Sequence, residues 1–344
     1  MKRMGVDIGG TFTDFIYVDD AGKVEVYKTS TTPEDPSIGM IEGIGAICDK
    51  LGLKHDEIDE IFHGTTIATN MVLEHKGARA GMITTKGYRD IIHIARHKRP
   101  TNFSIVEDIP WQEHPVCRRH DRYGVTERVI APTGEELIPL NEDEVRNAVR
   151  KMKKEKVEAI AVCFLFSFLN PAHEQRVKEI VEEEYPEAYL CLSSEVLPQF
   201  REYECFTTTG LNAYIGPTTA RYIRQLGKTL KEQGYTANVH LMQSFGGVAS
   251  TEAAQKKPVN LLLSGPVGGV LGAVWTTKLT PIHNVITLDI GGTSADISVL
   301  ADLKPSMKHL LDTKVGGYSA MVPMIDVGTI GAGGGSIAYI DEGG

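Results

Sequence analysis

One stretch is written twice in this chain, and the repetition restricts the fold more than any other feature. Near the start stands Val6-Asp7-Ile8-Gly9-Gly10-Thr11-Phe12-Thr13-Asp14, and toward the end Leu288-Asp289-Ile290-Gly291-Gly292-Thr293-Ser294-Ala295-Asp296. Six positions are identical: Asp7/Asp289, Ile8/Ile290, Gly9/Gly291, Gly10/Gly292, Thr11/Thr293 and Asp14/Asp296. Each copy reads as an apolar strand ending in Asp, a Gly-Gly turn and a second apolar strand, Phe15 to Val18 or Ile297 to Leu300. Glycine permits the turn and leaves backbone N–H groups free to face an anion. Thr hydroxyls add donors, and a carboxylate at a strand end can hold a hydrated Mg²⁺ beside phosphates. A single Asp-x-Gly-Gly is equally well a plain hairpin turn. Two copies agreeing at six places are not explained by turn chemistry alone. The pair predicts a duplicated fold in which one hairpin from each half grips a nucleotide polyphosphate. Other phosphate signatures fail: there is no G-x-x-x-x-G-K-[ST], and no G-x-G-x-x-G opens a helix after a strand.

The length of 344 residues leaves room for roughly two or three domains. A net charge of −9 gives no basic excess to neutralise phosphates along a polymer, which disfavours a nucleic-acid partner. The five cysteines are scattered and never in C-x-x-C spacing, so buried free thiols in a reducing cytoplasm are expected. No signal peptide precedes the first strand, and the longest apolar runs fall short of a membrane span.

Between the two copies, strand and helix patterns alternate. A strand over 23–28 precedes a helix starting at Pro36-Ser37 with Ile38, Ile41, Ile44 and Ile47 on one stripe, closed by Gly52. The buried segment 58–62 leads into His63-Gly64-Thr65-Thr66, a turn rich in Gly and Thr, and a helix through Leu73. A strand over 80–85 is followed by a stretch, 96–133, with four prolines and no sustained period. It reads as an elaborated loop with short strands around 123–130, and its histidines (His93, His97, His114, His120) match no common metal spacing. Asn141 caps a helix with Glu144 three residues on, 157–166 is a continuous apolar strand, Asn170-Pro171 starts a helix, and 189–192 is a strand. This β-α-β-α-β run places the chain in the α/β class. A long helical region through Lys231 is broken at Gly216-Pro217, and Ser264-Gly265-Pro266-Val267-Gly268-Gly269 opens another helix. That glycine-rich turn suits an anion or simply close packing. Four glycines among Gly331, Gly333, Gly334 and Gly335 let the backbone lie flat against a ligand such as an adenine or ribose face.

These features together resemble the superfamily of sugar kinases, heat-shock ATPases and actin. Within it, GVDIGGTFTDFIYVD, HGTTIATNMVLEHKGARAGMITTKGYRDII, TTTGLNAYIGP, SGPVGGVLGA, LDIGGTSADISVL and IGAGGGSIAYID resemble the hydantoinase A family, over nearly the whole chain. That family holds the ATP-using subunits of N-methylhydantoinase, 5-oxoprolinase, caprolactamase, and acetone and acetophenone carboxylases. The resemblance implies duplicated ribonuclease-H-like, actin-like ATPase domains, the second incomplete at its C-terminal side. The expected division is 1–194, carrying the first hairpin, and 195–344, carrying the second hairpin and the adenosine turn. Phe245 departs from the family, which usually has Asn there, and Val267 stands where Ala commonly follows SGP.

The resemblance also implies a chemistry. ATP phosphorylates the carbonyl oxygen of a cyclic amide of hydantoin, 5-oxoproline or lactam type, making a leaving group where none existed. A ketone carboxylase, a stand-alone small-molecule kinase and a non-catalytic nucleotide-binding fragment are the alternatives. Asp7 and Asp289 are expected to place Mg²⁺ and water, with a base role open to either. Gly9, Gly10, Thr11 and Thr13, with Gly291, Gly292, Thr293 and Ser294, would donate to phosphates. Gly331, Gly333, Gly334 and Gly335 would meet the adenosine. His63, Thr65, Thr66, Arg89 and Arg201 are the substrate-side candidates, although a lone His is more often structural than catalytic. Expected partners are a hydantoinase B-type subunit and a polypeptide that completes the second domain.

Overall fold

The computed structural model describes residues 1–9, 12–32, 36–97, 109–291 and 295–340. The first sheet grows from the N-terminal repeat. β1 (Lys2–Ile8), β2 (Phe12–Asp19) and β3 (Val24–Ser30) form an antiparallel meander. α1 (Pro36–Leu51) then crosses to β4 (Glu60–Thr65), which runs parallel to β1. Period-two alternation turns Met4, Val6, Ile8, Phe15 and Tyr17 to one face. There they meet Met40, Ile44 and Ile47 of α1 in the core. Gly43 makes the contact close, because a Cβ there would lie 2.1 Å from the Phe15 ring. The opposite face, with Gly5, Asp7, Asp14 and Ile16, is left for the site.

Much later in sequence, β11 (Asn238–Met242) joins this sheet parallel to β4, and β12 (Val248–Ser250) closes its edge. The order is β12-β11-β4-β1-β2-β3, the ribonuclease-H-like arrangement of a meander followed by parallel strands. The sheet therefore draws strands from both sides of the 194/195 boundary expected from sequence.

Between β4 and β11 the chain builds a second sheet. After α2 (Ile67–Leu73) come β5 (Ala80–Thr85), the short helical turns α3 (Ile91–Ile94) and α4 (Pro110–Glu113), and β6 (Cys117–Val125). The small hairpin of β7 (Arg128–Val129) and β8 (Glu136–Ile138), then α5 (Glu142–Lys154), lead to β9 (Ala159–Cys163). α6 (Ala172–Glu184) precedes β10 (Tyr189–Leu192), and the four parallel strands lie in the order β10-β9-β5-β6. The Asn141 side chain caps α5 as expected, accepting from the Glu144 N–H at 3.1 Å.

Two expectations change here. The aperiodic stretch contains the expected short strand near 130, β7, but also β6, a nine-residue strand beside β5 that starts well before 123. Its pairing slips between Ala80/Cys117 and Met82/Arg122, so Arg118, Arg119 and His120 break the alternation that sequence reading relies on. The helix expected to break at Gly216-Pro217 is continuous. After α7 (Ser193–Val196), α8 (Glu202–Glu232) runs 31 residues with Pro217 inside it. Gly216 lets the Tyr189 ring lie against the helix, where a Cβ would sit 2.2 Å away. α8 contributes Phe206, Leu211, Ile215 and Ile223 to a core shared with both sheets.

The chain next forms α9 (Thr251–Lys256) and α10 (Ser264–Thr277), then the second copy of the repeat. β13 (Val285–Ile290) and β14 (Ala295–Ala301) make the hairpin, and β15 (Lys304–Pro305) and β18 (Val327–Ile330) flank β14 on its other side. Residues 306–326 leave this sheet and sink into the first core through Val315, Tyr318, Met321 and Met324. They include the short hairpin of β16 (Lys314–Val315) and β17 (Tyr318–Ser319). The Met321 N–H donates to Thr208 Oγ1 at 2.9 Å, and the Ile325 N–H donates to the Ser244 carbonyl at 2.9 Å. The five cysteines are buried and unbridged, and no helix among the described residues is long and apolar enough to cross a membrane.

Candidate nucleotide site

The repeated sequence has a repeated register. Asp7 lies opposite Asp14 in the first hairpin, and Asp289 lies opposite Asp296 in the second. Four carboxylates thus occupy equivalent ladder positions just below the two Gly-Gly turns. The second hairpin comes near enough to the first for Asp289 to act electrostatically on Asp7. Although solvent reaches Asp7, burial by the surrounding walls pushes its carboxyl above the usual carboxylate range, reinforced by the negative charges of Asp14 and then Asp289. None of these leading influences is a cation. Asp14 is balanced by Lys28, whose Nζ stands 2.9 Å from its carboxylate.

The walls beside Asp7 are glycine. A Cβ on Gly64 would come within 2.9 Å of Asp7 Oδ1, and one on Gly265 within 3.6 Å. Gly64 is set by parallel pairing of β4 with β1, which aligns it with Asp7. Gly265 is set by the turn into α10. Leu263 adopts a left-handed conformation (φ 58°), its N–H donates to Thr69 Oγ1 at 2.8 Å, and Ser264 Oγ donates to the Thr65 carbonyl at 3.1 Å. Thr66 stands at the same corner, its hydroxyl donating to the Ile8 carbonyl at 3.4 Å. Gly64, Ser264 and Gly265 were not singled out as site residues from sequence, although both glycine motifs were visible there.

The glycine turn after β18 meets the second hairpin. The Gly334 N–H donates to the Gly291 carbonyl at 2.9 Å, and Gly333 is held by Ser336 through its own N–H at 2.9 Å. Gly331 has open space where a side chain would be. Gly335 follows in the same exposed turn. Gly9 closes the first turn, its N–H donating to the Phe12 carbonyl at 2.9 Å. Gly10, Thr11, Gly292, Thr293 and Ser294 lie outside the described residues.

Other sequence candidates point elsewhere. Thr13 is buried, its hydroxyl 3.1 Å from that of Thr31, because its strand parity is opposite to that of Asp14. His63 is likewise turned into the core. Its Nε2 lies 2.7 Å from the Tyr222 hydroxyl, and burial lowers its pKa to about 4. Thr65 is buried beneath the corner, accepting from the Ile67 N–H at 3.3 Å. Arg89 belongs to the β5–α3 loop, within electrostatic range of buried Arg122 and of Asp90. Arg201 enters α8 at φ 86° and lines a separate cleft of about 450 Å³ with Arg96, Trp111 and Lys314. Neither arginine lines the cleft at Asp7.

The donor set suits a hydrated divalent ion beside phosphates better than a protein-only metal cage. Among the described residues no group of three or more His, Cys, Asp or Glu side chains is placed to hold a metal. Asp7 and Asp289 instead offer one carboxylate from each hairpin, the pattern a phosphate-bound Mg²⁺ would meet through water.

Comparison with known proteins shows the family. The family model for the hydantoinase/oxoprolinase N-terminal region matches residues 3–185, and that for hydantoinase/oxoprolinase matches residues 206–344. The chain is 33% identical to the acetophenone carboxylase gamma subunit of Aromatoleum aromaticum, covering all of this chain (100%) and 48% of that protein. It superimposes on the crystal structure of ATP-dependent caprolactamase from Pseudomonas jessenii with a TM-score of 0.87 at 35% identity, over 99% of this chain and 49% of that one. On nucleotide-free acetone carboxylase, from work on the mechanism of ATP-dependent acetone carboxylation, the TM-score is 0.85 at 28% identity, over 99% of this chain and 50% of that one. The chain thus spans about half the length of these relatives. With both family models placed in order along nearly its whole length, it belongs to the hydantoinase/oxoprolinase family.

Proposed function

We propose that this chain is the ATP-binding part of an enzyme that activates a small carbonyl compound by phosphorylating its oxygen. The observation that carries the reading is the shared register of the two hairpins, Asp7 opposite Asp14 and Asp289 opposite Asp296, with glycine walls at Asp7. Asp7, whose carboxylate has no ion-pair partner among the described residues, lies within electrostatic range of Asp14 and Asp289 and favours a cation there, and the glycines beside it favour phosphates. Mg²⁺, when bound, would neutralise charge on the polyphosphate. Asp7 and Asp289 would hold it through its bound water. The Gly291 backbone N–H would help fix the phosphates, the Gly9 N–H being held by the Phe12 carbonyl, and the turn at Gly331 to Gly335 would receive the adenosine. The γ-phosphoryl passes to the substrate's carbonyl oxygen as its bond to the ADP oxygen breaks, and the electron pair leaves with ADP.

The primary reading is hydrolysis of a cyclic amide, in which O-phosphorylation weakens the amide toward water. A second reading, ketone carboxylation, is supported by the similarity to acetophenone and acetone carboxylases. A hydantoinase B-type subunit is the proposed partner in either case, in line with a relative that is itself named as a subunit. We also propose that polypeptide outside these 344 residues completes the second domain, because β13 has no strand on the side where β1 carries β4 among the described residues. ATP hydrolysis by the complete protein, measured against lactams and against ketones with bicarbonate, tests the function. Turnover stimulated by either class supports it, and ATP hydrolysis indifferent to every carbonyl compound contradicts it.

A further inference from the structure

The cleft at Asp7 does not end at the carboxylate. It continues along the first hairpin, away from the Gly9 turn, as a cavity of about 350 Å³. Ladder register explains its floor. Gly5 pairs with Ile16 one step behind the Asp7/Asp14 pair, and all four side-chain positions share a face. Parallel pairing brings Phe62 beside Gly5, and β11 adds Met242. The roof is α10, which turns Gly265, Gly268 and Gly269 toward the cavity.

Gly265 packs close to Asp7, but Gly268 and Gly269 are not needed for close packing, since a Cβ on either would meet nothing within 4 Å. Among the described residues the lining holds no Lys, Arg or His. The charges it does hold are the two carboxylates at one end, and Asp14 is already paired with Lys28 at 2.9 Å. A carboxylate carried by a ligand would find no basic side chain among the described lining residues to pair with and would add to the negative charge at the Asp7 end. An apolar ligand would find Phe62, Ile16 and Met242 on one side and a smooth helix backbone on the other.

We infer that this cavity is the acceptor pocket and that it takes an uncharged, largely apolar carbonyl compound, with the carbonyl at the Asp7 end and the hydrocarbon between Phe62, Met242 and the glycine face of α10. The inference rests on the function proposed above and narrows its substrate class to neutral amides or ketones without a carboxylate. Gly268 and Gly269 then set the size of the ring or chain admitted.

The test uses the complete protein and pairs of compounds that differ only in a carboxylate substituent, each a cyclic amide or a ketone. ATP turnover is measured in wild type, Gly268→Leu and Gly272→Leu, with ADP affinity measured by calorimetry. Gly272 also has open space around it but does not line the cavity, so it controls for altered helix propensity. The expected result is turnover with the neutral member of each pair, a KM raised at least about tenfold in Gly268→Leu, where a hydrophobic clash costs about 1–3 kcal/mol, and unchanged ADP affinity. Gly272→Leu should keep the wild-type KM. Preference for the carboxylated member, or a folded Gly268→Leu with wild-type KM, overturns the pocket assignment while leaving the proposed function standing. Wild type that turns over ATP with no carbonyl compound overturns that function and the pocket with it.

Discussion

Asp7 must carry charge where charge is disfavoured. Its carboxyl is raised by burial and by two like charges, so at neutral pH the ionised form destabilises the empty protein. The sign follows directly: a carboxyl whose folded pKa exceeds its unfolded one makes stability rise as pH falls through the folded value. Asp7→Asn removes that penalty and should raise the melting temperature of the nucleotide-free protein at pH 7. It should also lower ATP turnover by on the order of 10²–10³-fold, the scale for losing one preorganised electrostatic group. A lower melting temperature would show that Asp7 is a structural residue. His63 makes the opposite case. Its imidazole is neutral in the core, with a pKa of about 4 against 6.5 for the free side chain. Stability should be flat above pH 6.5, fall as pH drops toward 4 and then level off, losing about 3 kcal/mol at about 1.4 kcal/mol per unit. Urea denaturation over that range, compared with His63→Gln, checks this, and an equal acid slope in the variant would refute it. Strand parity separates the two residues. Asp7 and Gly64 face the cleft, so their neighbours Val6 and His63 face the core, a reading available from sequence once the cleft side is known.

At the scale of elements, the hairpins were legible because identity and period are local properties. Asp7/Asp14 and Asp289/Asp296 pair as the repeat implied. The capped helix α5 was legible for the same reason. The position of β11 was not, since it is fixed by pairing with β4 across an inserted sheet, and no local pattern encodes that partner. β6 was hidden by its own register slip. Two predictions belong here. Gly334 lies against Gly291, yet a Cβ there would sit 3.7 Å from the Gly291 carbonyl, an ordinary contact. Gly334→Val should therefore fold normally and weaken ATP binding by about 1–3 kcal/mol. Unchanged affinity by calorimetry would move the adenosine elsewhere. β13 leaves Ile286, Leu288 and Ile290 exposed at 71%, 59% and 59%, with Trp275 of α10 also exposed at 66%. These side chains form an uncovered apolar face, and β13 is also an open edge among the described residues, a combination that invites both cover and a further strand. Hydrogen exchange at 285–290 should be fast in the 344-residue chain and slow in the complete protein. Strong protection in the short chain would contradict a strand docking there.

At the scale of the whole molecule, the two sheets that carry the repeated hairpins are joined by α10 and by residues 306–326, which tie the second hairpin into the first core. This tether explains how Asp289 can be close enough to influence Asp7 although β13 belongs to a different sheet. The arrangement makes one demand: a single nucleotide must be held by both hairpins at once. The direct measurement is titration of Mg²⁺ with a non-hydrolysable ATP analogue into the complete protein, Asp7→Asn, Asp289→Asn and the double variant. Two carboxylates acting on one metal–phosphate group are coupled, so their losses do not add. The account predicts one site in wild type, a marked loss of Mg²⁺-dependent affinity in each single variant, and little further loss in the double variant. Wild-type affinity in either single variant, or losses that simply add, would contradict it.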